Sequence, residues 1–162
     1  MTDSFLPSMP SDGPTLQETL EVRDRCLCYR AQRTARAFAR HFDNAFRDIG
    51  LTHGQFSLMM VLNQPDPPGV ARLSEFLGMD RTSLTAKLKA LTKRGLVSVT
   101  ADETDRRSRR IALTPEGRAL LKTALPIWRD AHDAIDRQPS PYSQADLRTA
   151  LSIFWEHEGA DK

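Results

Sequence analysis

Nine basic side chains are concentrated between residues 81 and 110, where only three acidic side chains accompany them. Nine minus three gives this segment a formal charge of +6, while the whole chain carries +2 and the remainder therefore −4. A concentrated cationic surface attracts phosphates and releases counterions on binding, whereas scattered charges are mostly solvated. These residue types favour the electrostatic recognition of a polyanion.

The basic segment coincides with a series of short predicted elements. Apolar spacing predicts a helix over residues 70–77 and, after a turn, a second helix over residues 81–94 with Asp80 as its N-cap. Residues 97–100 and 109–113 alternate as two strands around an arginine-rich loop. A helix–turn–helix with an adjoining hairpin can place one helix in the major groove of DNA and the hairpin against phosphates and the minor groove.

The second of these helices has one apolar stripe, formed by Leu84, Leu88 and Leu91. At about 100° per residue, its remaining surface is small and polar near the start and basic towards the end. Hydroxyls can exchange hydrogen bonds with base edges, and lysines can neutralise phosphates. Such a surface can enter a DNA groove. Its polar and basic residues are Thr82, Ser83, Thr85, Lys89 and Lys93.

The rest of the chain is predicted to form an N-terminal arm and helices on both sides of the basic segment. The first residues are rich in Pro, Ser, Gly and Asp, which favours a flexible arm. The predicted boundaries are an arm over residues 1–18 and helices over 19–48, from Thr52 to before Pro65, from Pro115 to about Arg137, and from Ser143 onwards.

The outer helices carry more apolar side chains than the small central elements can cover. An uncovered apolar surface usually finds a partner. The economical partner is a second copy of the chain, because twofold DNA readers place two recognition helices about 34 Å apart. The apolar residues concerned are Phe38, Phe42, Trp128, Ile153, Phe154 and Trp155.

Three strings of the sequence, in their order and spacing, match the pattern of one known family. They are GLTHGQFSLMMVL, LSEFLGMDRTSLTAKLKALTKRGLV and DRRSRRIALTPEGRALL. They resemble the second helix, the DNA-reading part and the wing of the multiple-antibiotic-resistance regulator (MarR) family of bacterial transcription factors. Asp105 and Arg107 match the family's Asp-x-Arg signature in the wing. The resemblance covers about residues 25–157.

The resemblance implies a mainly α fold with a minor β component. It implies a single domain over residues 19–162, in which a winged helix–turn–helix lobe over 51–114 lies between dimerisation helices over 19–48 and 117–157. Members of the family are homodimers that bind palindromic operators, and most are repressors that a small, often aromatic, ligand or an oxidant releases from double-stranded DNA. The same function is therefore expected here.

The resemblance and the charge pattern together give a set of candidate DNA contacts. The family's wing arginine reaches the minor groove, which implies this role for Arg107. Asp105 either orients that arginine or simply makes the hairpin turn. The full set is Arg81, Thr82, Ser83, Thr85, Lys89, Lys93, Asp105, Arg106, Arg107 and Arg109.

A sensor site is less well determined by the sequence. A cavity between the first, second and fifth predicted helices is one hypothesis, and an ordinary apolar core is the alternative. Two of the four histidines, His132 and His157, are predicted to lie at the surface. The residues that can line the cavity are His41, Phe42, Phe46, His53, Phe56, Met60 and Trp128.

Cys26 and Cys28 suggest a redox-responsive repressor as another hypothesis. Two residues apart on a helix, their side chains would point about 200° apart and could not form a disulfide with each other. The family's hydroperoxide-sensing subgroup has a reactive cysteine in its first helix, but alignment on Tyr29 places that position at Arg25. Cysteines buried at a dimer interface are the alternative interpretation.

Several classes of function lack their sequence signals. The chain has no signal peptide and no apolar run long enough to span a bilayer, so we expect a cytoplasmic protein with no membrane partner. It has no phosphate-binding glycine loop, nucleophile elbow or paired catalytic carboxylates, and therefore does not resemble an enzyme. No metal or cofactor is expected. A winged helix used only for protein contact remains an alternative, but it would favour a neutral, apolar helix face.

Overall fold

The computed structural model describes residues 13–67, 69–101 and 109–156. These residues form two compact units, of which the first ends at Arg40 and the second begins at His41. The elements are α1 (Leu16–Arg25), α2 (Leu27–Ala45), the 3-10 turn η1 (Arg47–Ile49), α3 (His53–Leu62), α4 (Val70–Phe76), α5 (Arg81–Lys93), β1 (Val97–Ala101), β2 (Arg109–Leu113), α6 (Pro115–Asp136) and α7 (Gln144–Glu156). The assignment of residues 19–162 to one domain stays a prediction.

Helix α1 begins three residues before the predicted helix. The Thr15 hydroxyl accepts a hydrogen bond from the Glu18 amide at 3.2 Å, and the Glu18 carboxylate accepts one from the Thr15 amide at 2.8 Å. This reciprocal cap satisfies amides that a helix start leaves without partners. The Thr15 amide and the Thr15 hydroxyl both donate to the Glu18 carboxylate, which lowers the pKa of Glu18. Residues 16–18, predicted as part of the arm, are therefore helical.

The predicted helix over residues 19–48 is wrong as a single element, because Cys26 interrupts it. Cys26 has an extended backbone, with a ψ of 102°, between α1 and α2. Its sulfur accepts a hydrogen bond from the Tyr29 amide at 3.3 Å and so occupies the position of an N-cap for α2. The chain then ends α2 at Ala45 and makes the separate turn η1.

The helices that position the basic segment begin where the sequence predicts. Thr52 and Gln55 form a capping box at the start of α3. Asp80 caps α5 by accepting from the Ser83 amide at 2.8 Å, and Thr114 caps α6 by accepting from the Gly117 amide at 3.0 Å. Each cap satisfies a backbone donor within a few residues, which explains why local sequence predicts it.

Strands β1 and β2 form an antiparallel pair in which Val97 lies opposite Leu113 and Ala101 opposite Arg109. In β2 the inward side chains Ile111 and Leu113 are buried, while the alternate residues Arg110 and Ala112 are exposed and half-buried. Alternation therefore gives β2 a buried apolar face, and Arg109, which shares that face, is exposed at the outer end of the strand. The helix–turn–helix of α4 and α5 followed by this hairpin confirms the predicted mainly α, winged helix–turn–helix fold.

The core of the second unit joins the end of α2 to α3, α5, the hairpin and α6. No polar or charged side chain is buried within the described ranges. At the start of α6 the backbone approaches β1 so closely that a Cβ on Gly117 would lie 2.1 Å from the Leu96 carbonyl oxygen. Glycine is therefore required for α6 to pack against the end of α5 and the hairpin.

Candidate nucleic-acid interface

The six α5 residues predicted to contact DNA are all exposed, and the apolar stripe of the same helix is buried. Leu84 and Leu91 are fully enclosed, so packing fixes the rotation of α5 about its axis. We call the outward set the exposed surface of α5. It consists of Arg81, Thr82, Ser83, Thr85, Lys89 and Lys93.

The three hydroxyl side chains on this surface differ in their hydrogen bonds. The Ser83 hydroxyl donates to Asp80 at 2.6 Å, and the Thr85 hydroxyl donates to the Arg81 carbonyl oxygen at 2.7 Å. Hydrogen bonds from Ser83 lower the pKa of Asp80. Among the described residues Thr82 makes no side-chain hydrogen bond, so its hydroxyl is the one of the three whose proton remains available for a ligand.

Two further basic residues contact the protein, namely Lys87 in α5 and Arg94, the C-cap residue of α5. Arg94 is exposed and donates to the Gly50 carbonyl oxygen at 2.7 Å, and the half-buried Lys87 side chain lies over Gly54. Both belong to the cationic segment, and the sequence alone did not separate them from the DNA-facing residues. Their seven-residue spacing was the available signal, because it places both on one flank of a helix.

The hairpin side of the interface is described only in part. Arg109 begins β2 and is exposed. Asp105, Arg106 and Arg107 lie outside the described residues.

Six of the seven predicted ligand-binding residues form two sets of packed rings, which His132 joins. The ring centroid of Phe42 lies 5.3 Å from that of His41 and 5.1 Å from that of His53. Phe46 and Phe56 are 5.0 Å apart, and Phe56 stacks on Trp128 at 6.2 Å. With His132 these residues form what we call the ring cluster, namely His41, Phe42, Phe46, His53, Phe56, Trp128 and His132.

His132 was predicted to lie at the surface, and that prediction is wrong. Its ring lies 5.0 Å from Phe42 and 4.4 Å from Trp128, and it is half-buried. His41 Nε2 lies 3.0 Å from the Ala131 carbonyl oxygen, to which it donates in the tautomer that carries the Nε2 proton. No local pattern predicts the contacts of His41 with Ala131 and of His132 with Phe42, each of which joins residues 90 positions apart.

Burial lowers the pKa of His53 below its ordinary value of 6.5, and the neighbouring His132 lowers it further. Asp43 opposes this shift, and its carboxylate also accepts a hydrogen bond from the His53 amide at 2.7 Å. The neutral imidazole is therefore the form that the fold favours.

Met60 does not belong to the ring cluster. It is partly exposed and borders a separate surface hollow of about 530 Å³, together with Val61, Gln64, Asp66, Arg72 and Phe76. Within the cluster, Phe42, Phe46 and Phe56 are at most 4% exposed. These rings pack as core, and their role in ligand binding stays a prediction.

Both cysteines are free thiols in the described structure, and Cys28 is the more exposed of the two. The side-chain amide of Gln32 donates to the Cys28 sulfur at 3.3 Å. Because Cys26 lies at the break between helices, the helical geometry assumed for the pair does not apply to it. Redox sensing stays a prediction.

No helix in the described ranges combines the length and the apolar character of a membrane span. No group of three or more His, Cys, Asp or Glu side chains in those ranges is placed to hold a metal ion.

Comparison with known proteins assigns the family. The model of the family described as "MarR family" matches residues 51–108. The transcriptional regulator MosR of M. tuberculosis, solved in complex with DNA, superposes with a TM-score of 0.74 at 32% identity, covering 84% of this chain and 98% of that one. The chain belongs to the MarR family.

Two other MarR-type proteins extend the comparison. The transcriptional repressor CouR of Rhodococcus jostii RHA1, bound to a 23-mer DNA duplex, superposes with a TM-score of 0.68 at 27% identity, covering 90% of this chain and 97% of that one. The regulator SarZ of Staphylococcus aureus (strain MRSA252) is 28% identical over 94 residues, which are 58% of this chain and 64% of SarZ. The match thus spans less than two thirds of SarZ. MarR-family proteins are DNA-binding transcriptional regulators, and the relatives found are regulators and not enzymes.

Proposed function

We propose that this MarR-family protein is a homodimeric repressor that binds a roughly palindromic operator and is released by a small aromatic ligand. The observation that carries the proposal is the exposed surface of α5. Every polar and basic residue predicted there faces solvent, while the leucines of the same helix are buried in the core. A helix held in this way can enter a major groove without rearrangement.

The residues of this surface divide by chemistry. Arg81, Lys89 and Lys93 supply positive charge for phosphates, and such contacts position a protein without reading sequence. Thr82 is our candidate for a hydrogen bond to a base edge, because its hydroxyl has no partner among the described residues. The hydroxyls of Ser83 and Thr85 already donate within the protein, so we assign them a smaller part in reading bases.

We assign the hairpin a contact with the minor groove. Exposed Arg109 is consistent with a cationic hairpin. For Arg106, Arg107 and Asp105 the assignment rests on the family's Asp-x-Arg signature, in which the arginine enters the groove and the aspartate orients it. A narrow, A/T-rich groove has enhanced negative potential and would favour this arginine.

Apolar exposure on the outer helices supports a dimer. In the first unit Leu27 and Tyr29 are exposed, and in the second Leu151 and Ile153 are exposed. Large apolar side chains that remain in water on helices usually pack against a partner. A second copy also supplies the second reading helix that a palindromic site requires.

The ring cluster is our candidate for the effector site. It joins the end of α2, the start of α3 and the middle of α6, so a ligand wedged among the rings would move α3 relative to α6. Aromatic rings favour an aromatic ligand, and imidazoles can hydrogen-bond to its polar group.

Repression is favoured because CouR, at 27% identity, is described as a transcriptional repressor. A regulator that binds chromosomal DNA acts in the cytoplasm, which is where we place this protein. The exposed surface of α5 is polar and basic and not apolar, so the alternative of a winged helix for protein contact alone has no support.

The salt dependence of DNA binding tests the proposal. Affinity for a generic duplex should fall steeply between low and moderate salt, because bound phosphates release counterions. Lys89→Ala and Lys93→Ala should each weaken binding to every sequence and reduce the slope of log affinity against log salt by about 0.9 per lost phosphate contact. Fluorescence anisotropy with labelled duplexes measures both quantities.

The matched control is Lys122→Ala, which removes the same charge from an exposed position on α6. It should leave the slope unchanged. Binding that is insensitive to salt, or an equal slope for the Lys89 and Lys122 variants, would contradict the proposed interface.

A further inference from the structure

We infer that Lys87 and Arg94 are positioning residues, which hold α5 against the corner between η1 and α3 and do not contact phosphates. We call residues 50–54 the corner. The inference rests on the proposed function of α5 as the helix that enters the groove. It divides the basic residues of one helix into two groups with different roles.

The first observation is the hydrogen bond from Arg94 to the corner. Arg94 Nη1 donates to the Gly50 carbonyl oxygen at 2.7 Å, across 44 positions of sequence. Gly50 has a left-handed backbone, with a φ of 63°, and a Cβ placed on it would lie 3.8 Å from Arg94 Nη2. The guanidinium therefore lies over the glycine and fixes the end of α5 at the corner.

The second observation is the packing of Lys87 on Gly54. A Cβ built on Gly54 would lie 2.9 Å from Lys87 Cε and 3.3 Å from Lys87 Nζ. The methylene stem and the ammonium group thus cover the glycine, and the side chain is half-buried. Gly54 lies in the first turn of α3, where the helix dipole repels a cation, so packing of the stem and not charge attraction explains the contact.

The third observation is the direction in which the basic side chains leave the helix axis. Lys87 and Arg94 are seven residues apart, which is about two helical turns, so they share one flank of α5. At about 100° per residue, Lys89 and Lys93 lie roughly 140° and 180° from Leu84, on the far side of the helix from the core. Lys89 and Lys93 therefore point away from the core, while Lys87 and Arg94 lie on the flank that contacts the corner.

Through these contacts, the position of the corner directly influences the position in which α5 meets DNA. Arg94 contacts the corner from the C-terminal end of the helix and Lys87 from its middle, while the buried leucine stripe packs the helix on the core. The corner also contains His53, a member of the ring cluster. A change in the cluster consequently alters the surface on which Lys87 rests.

The test separates positioning from phosphate contact. Two duplexes are used, one selected by the wild-type protein from a randomised pool and one of generic sequence, and affinities are measured over a range of salt. Arg94→Ala should weaken binding to the selected duplex by up to about tenfold, the ratio that loss of one net hydrogen bond produces, and Lys87→Ala should weaken it in the same direction through lost packing. Both variants should keep the wild-type salt slope, and their preference for the selected duplex should fall.

Three further variants separate the effect of packing from the effect of charge. Lys87→Met keeps the stem without the charge and should restore near wild-type affinity and slope, and Arg94→Lys should recover part of the lost affinity. Gly54→Ala changes no charge and improves helix propensity, so the protein should fold, yet displacing Lys87 should lower the preference for the selected duplex. Lys89→Ala is the phosphate-contact control.

The inference is wrong if the salt slopes of Lys87→Met and Arg94→Ala fall as that of Lys89→Ala does. It is also wrong if Gly54→Ala and Lys87→Ala keep the wild-type preference for the selected duplex over the generic one. A wild-type protein that binds neither duplex would refute the proposed function itself, and this inference with it.

Discussion

At the scale of single residues, side chains of the same type have different roles according to the direction in which they point. Thr82 has an available hydroxyl, while the hydroxyl of Thr85 is bound to the backbone. Lys89 faces solvent, while Lys87 covers a glycine. Sequence predicts which residues can contact DNA, but intramolecular hydrogen bonds and packing decide which of them have free groups to offer.

His53 makes stability depend on pH in a defined direction. Because burial lowers its pKa below 6.5, the folded state binds fewer protons than the unfolded state around that pH. The stability that neutral His53 contributes is therefore fully present above pH 6.5, the pKa of the unfolded state. It is lost as the pH falls through the lower pKa of the folded state. The free energy of unfolding, measured in denaturant, should decrease between pH 7 and pH 5 more steeply than in His53→Gln.

The measurement has an internal check. The imidazole resonances of His53 followed by NMR should titrate below those of an unfolded peptide. Equal pH dependence in the wild type and His53→Gln would show that the fold does not favour the neutral imidazole.

At the scale of elements, local signals predicted the starts of α3, α5 and α6 but missed those of α1 and α2 and the long-range contacts. Thr52, Asp80 and Thr114 were identifiable because each caps a helix with its own side chain. The break at Cys26 was not identifiable, because cysteine has an ordinary helix propensity and does not predict the end of a helix. The contact of His132 with Phe42 depends on how α6 packs against α2 and α3, which periodicity cannot specify.

The tight packing of the ring cluster leads to a prediction about the effector. Phe42 and Phe56 are almost fully buried, so an aromatic acid can enter only if α3 and α6 separate. Salicylate, used as the probe, should quench the fluorescence of Trp128 and weaken binding to the selected duplex over the same concentration range. The two concentration ranges must agree, because a ligand that binds more tightly to the conformation with low DNA affinity weakens DNA binding as it binds.

Trp128→Phe is the control for that experiment, since it keeps an apolar ring and removes the fluorophore at the site. Quenching that persists in this variant, or ligand binding that leaves DNA affinity unchanged, would remove the ring cluster as the effector site. Acetate, which lacks a ring, should have no effect in either protein.

At the scale of the whole molecule, positive charge is concentrated in one segment, and most of the exposed large apolar side chains lie outside it. Residues 81–110 are strongly cationic in a chain of net charge +2, and exposed apolar side chains are most numerous on α1, α2 and α7, although Phe76 on α4 and Val99 on β1 are exposed too. The sequence predicted the concentration of charge and the exposure of Phe38 and Ile153, but Phe42, which was predicted to be uncovered, is buried. A cationic segment with apolar outer helices is expected of a dimer that presents one polyanion-binding helix from each copy.

The most direct test is a measurement of stoichiometry and footprint on the selected duplex. Sedimentation should show two copies of the protein per duplex, and hydroxyl-radical footprinting should show two symmetric protected patches about 10 base pairs apart, one helical turn. Lys89→Ala should weaken both patches equally. One copy per duplex, or a single asymmetric patch, would contradict the proposal that paired α5 helices read a palindromic operator.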